Sequence, residues 1–137
     1  MKLHLGCGNN YKKGFVNLDM SKNVKADVYH NLDNYPYPFK DNKFTYVYAD
    51  NVLEHINNLN LVFNEFHRIS KHGAEIKVIV PYYNCKGAYN DITHVHFFNE
   101  TTFHNLLVPE EHYAINKYKP KFKIIKLELK TTRFGKF

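Results

Sequence analysis

The sequence has no tryptophan, only two cysteines and no apolar run long enough to cross a membrane. Cys7 and Cys85 lack metal-ligand spacing, and two thiols without a pattern are typical of reduced cysteines in the cytosol. A membrane-spanning helix needs about 18 consecutive apolar residues, and the first residues lack the hydrophobic region of a signal peptide. We therefore expect a soluble, cytoplasmic protein with neither a disulfide framework nor a metal site.

Acidic residues are scarce near the C-terminal end. Residues 1–115 carry 11 Lys or Arg and 12 Asp or Glu, whereas residues 116–137 carry eight basic residues and one acid, Glu128. The net charges are therefore −1 and +7. A basic tail can bind nucleic acid, but its lysines also protect an exposed edge strand from pairing, and the second interpretation is favoured. The length predicts one domain, 1–137, with a basic C-terminal strand and tail at 116–137.

Glycine is also sparse, so the pair in the turn Leu5-Gly6-Cys7-Gly8 is informative. The turn follows a predicted strand at 2–5, and a glycine pair there lets backbone approach a ligand that a Cβ would block. The next predicted strand, 15–18, is followed by Asp19, whose carboxylate can accept both hydroxyls of a ribose. Together these features predict a nucleoside-binding edge of a parallel sheet.

The phosphate-binding features of a dinucleotide site are missing. Position 11 is Tyr11 rather than glycine, and the six residues between Gly8 and Phe15 leave no room for a helix facing a pyrophosphate. Both observations argue against a nucleotide-dependent oxidoreductase. A ligand with ribose and adenine but no phosphate fits better, and S-adenosylmethionine (SAM) is such a ligand.

Several further segments, in the same order, resemble the class I SAM-dependent methyltransferases, specifically the compact branch with a shortened first crossover. Residues 26–32 and 38–44 are similar to the adenine-side segment, and residues 49–56 to the family's "vLEHi" signature. Residues 68–74, then 78–81, are similar to its helix–glycine–strand segment. The resemblance covers roughly residues 2–107 and implies a Rossmann-like α/β sheet, truncated and with few helices, that binds SAM.

The resemblance also implies the cofactor-binding residues. They are Gly6, Cys7, Gly8, Asp19, Asn31, Leu32, Ala49, Asp50 and Asn51. His4 departs from the family, which usually has Asp, Glu or Asn two residues before the first glycine. That position normally helps to hold the methionine amino group.

The acceptor is expected near the predicted loop 82–98, which follows the fifth strand. His94 and Asp91 are the candidate catalytic residues, because a histidine there can take a proton from the acceptor or hydrogen-bond to it. Two other interpretations remain: a metal site with His96, or a histidine that only anchors the loop. Glu54 and His55 are adjacent and should point about 100° apart, so we expect them not to serve one site equally.

Hydrophobic patterning predicts six strands and two helices. The strands are 2–5, 15–18, 27–31, 44–48, 75–80 and 122–130, and the helices are about 57–70 and 100–107. In the sixth strand, alternation places Ile125, Leu127 and Leu129 on the buried face. Residues 133–137 are too few to predict a seventh strand.

The sequence thus predicts a SAM-dependent methyltransferase with a small or polar acceptor, although no motif identifies that acceptor. The alternative is a catalytically inactive protein of the same fold that binds a partner through its basic tail or open sheet face. The first connections are too short for the usual helices, so the sheet face with Phe44, Tyr46 and Tyr48 should be thinly covered. Such a face favours a homodimer.

Overall fold

The computed structural model describes residues 1–107 and 122–130. Within them, five parallel strands form one sheet in the order β3-β2-β1-β4-β5. The strands are β1 (Lys2–Leu5), β2 (Val16–Asp19), β3 (Val28–Tyr29), β4 (Phe44–Asp50) and β5 (Ser70–Ile79). The helices are a 3₁₀ turn (Leu53–His55), α1 (Leu59–Ile69), α2 (Lys86–Tyr89) and α3 (Thr102–Leu107). This architecture confirms the predicted truncated, Rossmann-like α/β fold.

One face of the sheet carries the apolar core. Leu3 pairs with Val47 and Leu5 with Ala49 across β1 and β4, so these four side chains share a face, and all are buried. The apolar stripe of α1 belongs to the same core, as its spacing predicts. The side chain of Asn58 caps α1 by accepting a hydrogen bond from the backbone N–H of Leu61.

Residues 6–15, all of them described, connect β1 to β2 without a helix. The fully buried side chain of Asn17 holds this connection in place. Its Nδ2 donates to the carbonyl oxygens of Lys12 (2.9 Å) and Phe15 (3.1 Å), and its Oδ1 accepts from Lys12 N–H (2.8 Å). One amide side chain therefore anchors a crossover that a helix usually forms.

The second face of the sheet is polar and aromatic, as the short crossover predicts. Tyr46 and Tyr48 of β4 are half-buried there. The first connection covers part of this face, because the Phe15 ring packs edge-on against Tyr46 (6.0 Å between centroids). The Lys12 ammonium also lies 4.9 Å from the centre of the Tyr48 ring.

The predicted position of Phe44 on this open face is wrong. Its side chain is fully buried and packs edge-on against Phe39, with ring centroids 5.0 Å apart. The register between β4 and β5 is irregular between Phe44 and Tyr46, and Gly73 of β5 has a left-handed φ of 75°. Such an irregularity interrupts the alternation of side chains at the start of β4.

The predicted sixth strand is also wrong. Residues 122–130 form no ladder with any described strand. Phe122 and Ile124 pack against the core, whereas Ile125, Leu127 and Leu129 are exposed, by 83% for Ile125. Only the start of the segment alternates: Phe122 packs on the α1 residue Phe63 and Ile124 on the core, whereas all of residues 125–130 are exposed.

The other predictions for the C-terminal part of the chain concern residues that the structure does not describe. The short stretch 133–137 lies outside the described residues, as does the part of the predicted basic tail from 116 to 121. The longest described helix, α1, has 11 residues, and none of the described helices combines the length and apolar character needed to cross a bilayer.

An ion pair on α1 fastens the segment that precedes β4. Glu65 is buried and accepts hydrogen bonds from Tyr37 N–H (2.6 Å) and from Arg68 Nε (2.8 Å) and Nη2 (2.7 Å). Arg68 also donates to the carbonyl oxygens of Phe39 and Tyr37. Burial alone would raise the pKa of the Glu65 carboxyl, but these hydrogen bonds and the guanidinium charge hold it below its usual value.

We expect the Glu65 carboxylate to stabilise the fold at neutral pH and less so in acid. The pKa of this carboxyl is lower in the folded state than in the unfolded state, so its ionisation stabilises the fold at any pH above the unfolded-state pKa. This stabilisation is lost as the pH falls through the folded-state pKa. Urea unfolding of Glu65→Gln and the native protein at pH 7 and pH 3.5 measures this. The variant should be less stable at pH 7, with a smaller difference at pH 3.5. A difference that does not shrink in acid would contradict the expectation.

Candidate cofactor and acceptor site

The glycine turn lies at the carboxyl end of β1, and its two glycines have left-handed backbones, with φ of 58° for Gly6 and 48° for Gly8. A Cβ on Gly6 would lie 2.5 Å from the Cγ2 atom of Val52, so this glycine permits close packing with the segment after β4. A Cβ on Gly8 would meet no described atom within 4 Å. Gly8 therefore leaves open space beside the backbone, as a ligand-binding turn requires.

The thiol of Cys7 is a packing group. It is buried, its Sγ lies 3.6 Å from the carbonyl oxygen of Lys25, and burial raises its pKa. The Cys7 N–H donates to the carbonyl oxygen of Leu18 at the end of β2. The turn is thus held to the second strand, and Cys7 can serve a ligand only through its backbone.

Asp19, the last residue of β2, connects two backbone segments of the site. Its Oδ2 accepts from Gly8 N–H and its Oδ1 from Ser21 N–H, both at 2.8 Å. A carboxylate offers about four acceptor positions, so two remain for the hydroxyls of a ribose. The predicted pair of glycine turn and acid is therefore formed by direct contact.

The adenine-side residues follow β3. Asn31 is exposed, and its Oδ1 accepts from the backbone N–H of Asp33 (2.9 Å), which closes a tight turn. Leu32 is half-buried and packs against the core. Asp33, which the sequence interpretation did not single out, accepts two hydrogen bonds from Asn57, one from its N–H and one from its side chain.

The methionine-side residues lie at the end of β4. Ala49 is fully buried, so only its backbone is available. Asp50 accepts hydrogen bonds from the Tyr48 hydroxyl (2.7 Å) and the Asn51 side chain (2.9 Å). Asn51 is exposed and has a left-handed φ of 52°, which turns the chain sharply at the sheet edge.

His4, the departure from the family pattern, is a buried residue on the second face of the sheet. Its Nδ1 lies 3.2 Å from Asn17 Oδ1, and its ring centroid is 5.2 Å from that of Tyr48. Burial lowers its pKa. These contacts make His4 part of the packing around Asn17.

The segment after β5 holds Asp91, His94 and His96 by three different contacts. Asp91 is exposed and accepts from the backbone and hydroxyl of Thr93. Nδ1 of His94 lies 2.9 Å from the carbonyl oxygen of Ala88, and Nε2 of His96 lies 3.3 Å from that of Asn57. Within the described residues these three side chains form no common ligand set.

His94 instead lies beside both Glu54 and His55, the adjacent pair that we expected not to serve one site equally. One ligand atom from each of the three residues lies within 4.8 Å of the others, and His94 Nε2 is 4.0 Å from Glu54 Oε1. The rings of His55 and His94 are 4.6 Å apart. His94 comes from a distant segment and packs against both side chains.

The comparisons with known proteins agree with the fold. A family model described as a methyltransferase domain matches residues 3–77. No curated protein matches the sequence. A SAM-dependent methyltransferase from Archaeoglobus fulgidus is similar in structure, with a TM-score of 0.65 and 18% identity. The match covers 77% of this chain and 57% of that protein.

Two further solved structures are similar. MccD protein has a TM-score of 0.59 and 21% identity over 78% of this chain and 61% of its own. A complex of the Haloferax volcanii Trm112 methyltransferase activator with a proposed methyltransferase has a TM-score of 0.50 and 22% identity. This match covers 61% of this chain and 46% of that one. At these identities the likeness shows the fold, and this chain spans about half to three fifths of the structures it matches.

Proposed function

This chain belongs to the family of methyltransferase domains, and we propose that it transfers a methyl group from SAM to a small or polar acceptor. The observation that carries the proposal is the contact between Gly8 N–H and the Asp19 carboxylate, at the carboxyl edge of a parallel sheet. Ligands of open α/β sheets bind at this edge. SAM supplies an activated methyl group on a sulfonium, so the protein's main contributions are position and a pocket without water.

The described residues fit SAM at the ribose and beside the glycine turn. Gly8 has open space where a Cβ would lie, and Asp19 keeps unused acceptor positions for two hydroxyls. We propose that the backbone of 6–8 lines the cofactor. Asn31 and Leu32 would flank the adenine, and residues 49–51 would face the methionine end.

The acceptor is proposed to bind beside the segment 91–98, where His94 would contact it. Asp91 would act as a positioning residue, because its carboxylate holds Thr93, which in turn contacts His55. The chemical identity of the acceptor follows from none of these side chains. Calorimetric titration with SAM, its demethylated product and NAD tests the cofactor, and binding of NAD alone would contradict the proposal.

Asp19→Ala is expected to weaken SAM binding by about 1.5–3 kcal/mol, the range for losing hydrogen bonds to a charged acceptor. Calorimetry measures the affinity, and thermal unfolding shows whether the variant is folded. Asp41→Ala is the matched control, because Asp41 is a 68% exposed carboxylate whose partner is Arg68 on α1. A folded Asp19→Ala protein with unchanged SAM affinity would remove Asp19 from the site.

Two further proposals concern binding partners, namely a second copy of this chain and nucleic acid. A homodimer through the face of Tyr46 and Tyr48 stays a prediction, supported by their half-buried aromatic rings. Binding of nucleic acid by the basic residues of 116–137 is a weaker proposal, and the described part of that segment already pairs Lys126 with Glu128 at 2.9 Å. SAM binding without methyl transfer to any acceptor would favour the inactive alternative.

A further inference from the structure

Glu54 carries a buried carboxylate that has no hydrogen-bond partner among the described residues. Its exposed fraction is zero, and neither carboxylate oxygen has a hydrogen-bond partner among residues 1–107 and 122–130. A buried charge without compensation is costly, so such groups are normally paired or bound to a metal. Burial raises the pKa of this carboxyl. A cation beside these two oxygens would compensate the charge of the ionised carboxylate.

The hydrogen bonding of His94 leaves a lone pair facing this carboxylate. Its Nδ1 must donate to the carbonyl oxygen of Ala88, at 2.9 Å, because a carbonyl only accepts. In the neutral ring the lone pair is then on Nε2, which lies 4.0 Å from Glu54 Oε1. His94 Nε2 and Glu54 Oε1 are both electron-rich, so a cation bound between them would make their proximity favourable.

The tautomer of His55 is assigned in the same way. The Thr93 hydroxyl donates to Asp91 Oδ1 (2.6 Å), so Thr93 Oγ1 accepts from His55 Nδ1–H (2.8 Å). The lone pair of His55 is therefore also on Nε2. Histidines that bind metals usually donate their other ring N–H to a carbonyl or a carboxylate-linked group, and both rings are held in this way.

We propose that Glu54, His55 and His94 bind a divalent transition-metal ion. One carboxylate and two neutral imidazoles form the ligand set of zinc sites that keep an open position, and the same set can bind iron(II). Imidazole nitrogens disfavour magnesium and calcium, which prefer oxygen ligands. This proposal departs from the expectation, drawn from the sequence, that the chain has no metal site.

The three ligand atoms are slightly too far apart for a bound metal. They lie within 4.8 Å of one another, whereas ligands around tetrahedral zinc are roughly 3.3 Å apart. Metal binding would therefore draw the three side chains closer together. The backbone is already fixed, because Val95 N–H and His96 N–H both point to the carbonyl oxygen of Glu54, at 2.8 and 3.4 Å.

The proposed metal lies next to the proposed methyltransferase site. Val52, which packs against Gly6, directly precedes the 3₁₀ turn that carries Glu54 and His55. If Nε2 of His94 binds the cation, it cannot also take a proton from the acceptor. Metal binding itself needs neither SAM nor an acceptor, so its test is independent of the proposed function.

The test is titration of chelator-treated protein with Zn²⁺ by calorimetry and with Co²⁺ by visible absorption. We expect one site per chain, a Co²⁺ spectrum of low coordination number, and no comparable binding of Mg²⁺. His94→Ala should weaken Zn²⁺ binding at least 100-fold. His72→Ala, which removes an exposed histidine on β5, should leave it unchanged. Equal Zn²⁺ affinity in the native protein and both variants would overturn the proposal, because it would show adventitious binding elsewhere.

Glu54→Gln provides a second test that does not depend on His94→Ala being folded. The amide has the same shape without the charge, so the metal-free variant should unfold at a higher temperature than the native protein. Its Zn²⁺ affinity should nevertheless fall at least tenfold. A Glu54→Gln protein that binds Zn²⁺ as tightly as the native chain would refute the site, whatever its unfolding temperature.

Discussion

Asn17→Ala is expected to lower the free energy of unfolding by about 3–4 kcal/mol, among the largest effects of any single substitution in this chain. The side chain of Asn17 is fully buried. It accepts a hydrogen bond from the backbone N–H of Lys12 and donates to the backbone carbonyl oxygens of Lys12 and Phe15. Removing it leaves these groups without partners and frees the connection between β1 and β2. Thermal unfolding should show a midpoint lower by roughly 10 °C.

Asn23→Ala is the matched control for this variant, because Asn23 is an exposed asparagine in the loop after β2. Its substitution should change stability by less than about 0.5 kcal/mol. A loss of less than 1 kcal/mol in Asn17→Ala would show that the connection does not depend on the asparagine. SAM affinity should fall together with stability, since the glycine turn belongs to the same connection.

Gly6→Ala is expected to cost about 3 kcal/mol for two reasons. A left-handed backbone costs a residue with a Cβ roughly 1 kcal/mol, and overpacking a tight contact adds about 1–3 kcal/mol. The contact is the one with Val52, whose Cγ2 atom would lie 2.5 Å from the new Cβ. Urea unfolding measures the loss, and calorimetry with SAM measures the effect on the turn as a ligand site.

A double-mutant cycle separates the two causes. In a Val52→Ala background, Gly6→Ala should cost only the backbone strain, about 1 kcal/mol, because the clashing methyl groups are gone. Gly8→Ala should cost about the same, since its Cβ would meet no described atom within 4 Å. We expect Gly8→Ala to weaken SAM binding while the protein stays folded. If the effects of Gly6→Ala and Val52→Ala on the free energy of unfolding are simply additive, the clash with Val52 is not the cause of the larger loss.

Much of the fold could be predicted from the sequence because its signals are local. The alternation in the later part of β4, and the stripe of apolar residues in α1, each depend on a few neighbouring residues. The glycine turn and Asp19 were expected at one edge of the sheet, and they lie in contact there because the ends of adjacent parallel strands meet at one edge. The segments are close in the chain, so few arrangements compete.

The failures arise where a partner lies far away in the chain. Glu54 and His55 were recognisable as polar residues in a signature, but nothing in their spacing indicates that His94 packs against both of them. The alternation of residues 122–130 predicts an amphipathic extended segment but not which side is buried. The neighbouring surface, here Phe63 on α1, decides that.

The short first crossover also affects the order in which the sheet can form. His4 and Asn17, which pair across β1 and β2, are only 13 positions apart, whereas Met1 and Thr45, which link β1 to β4, are 44 apart. Closing the smaller loop loses less chain entropy, by roughly 1 kcal/mol. Parallel strands normally pair slowly because a whole helix separates them. In this chain we expect β1 and β2 to pair first, so that folding can start at the strand ends that carry Gly8 and Asp19.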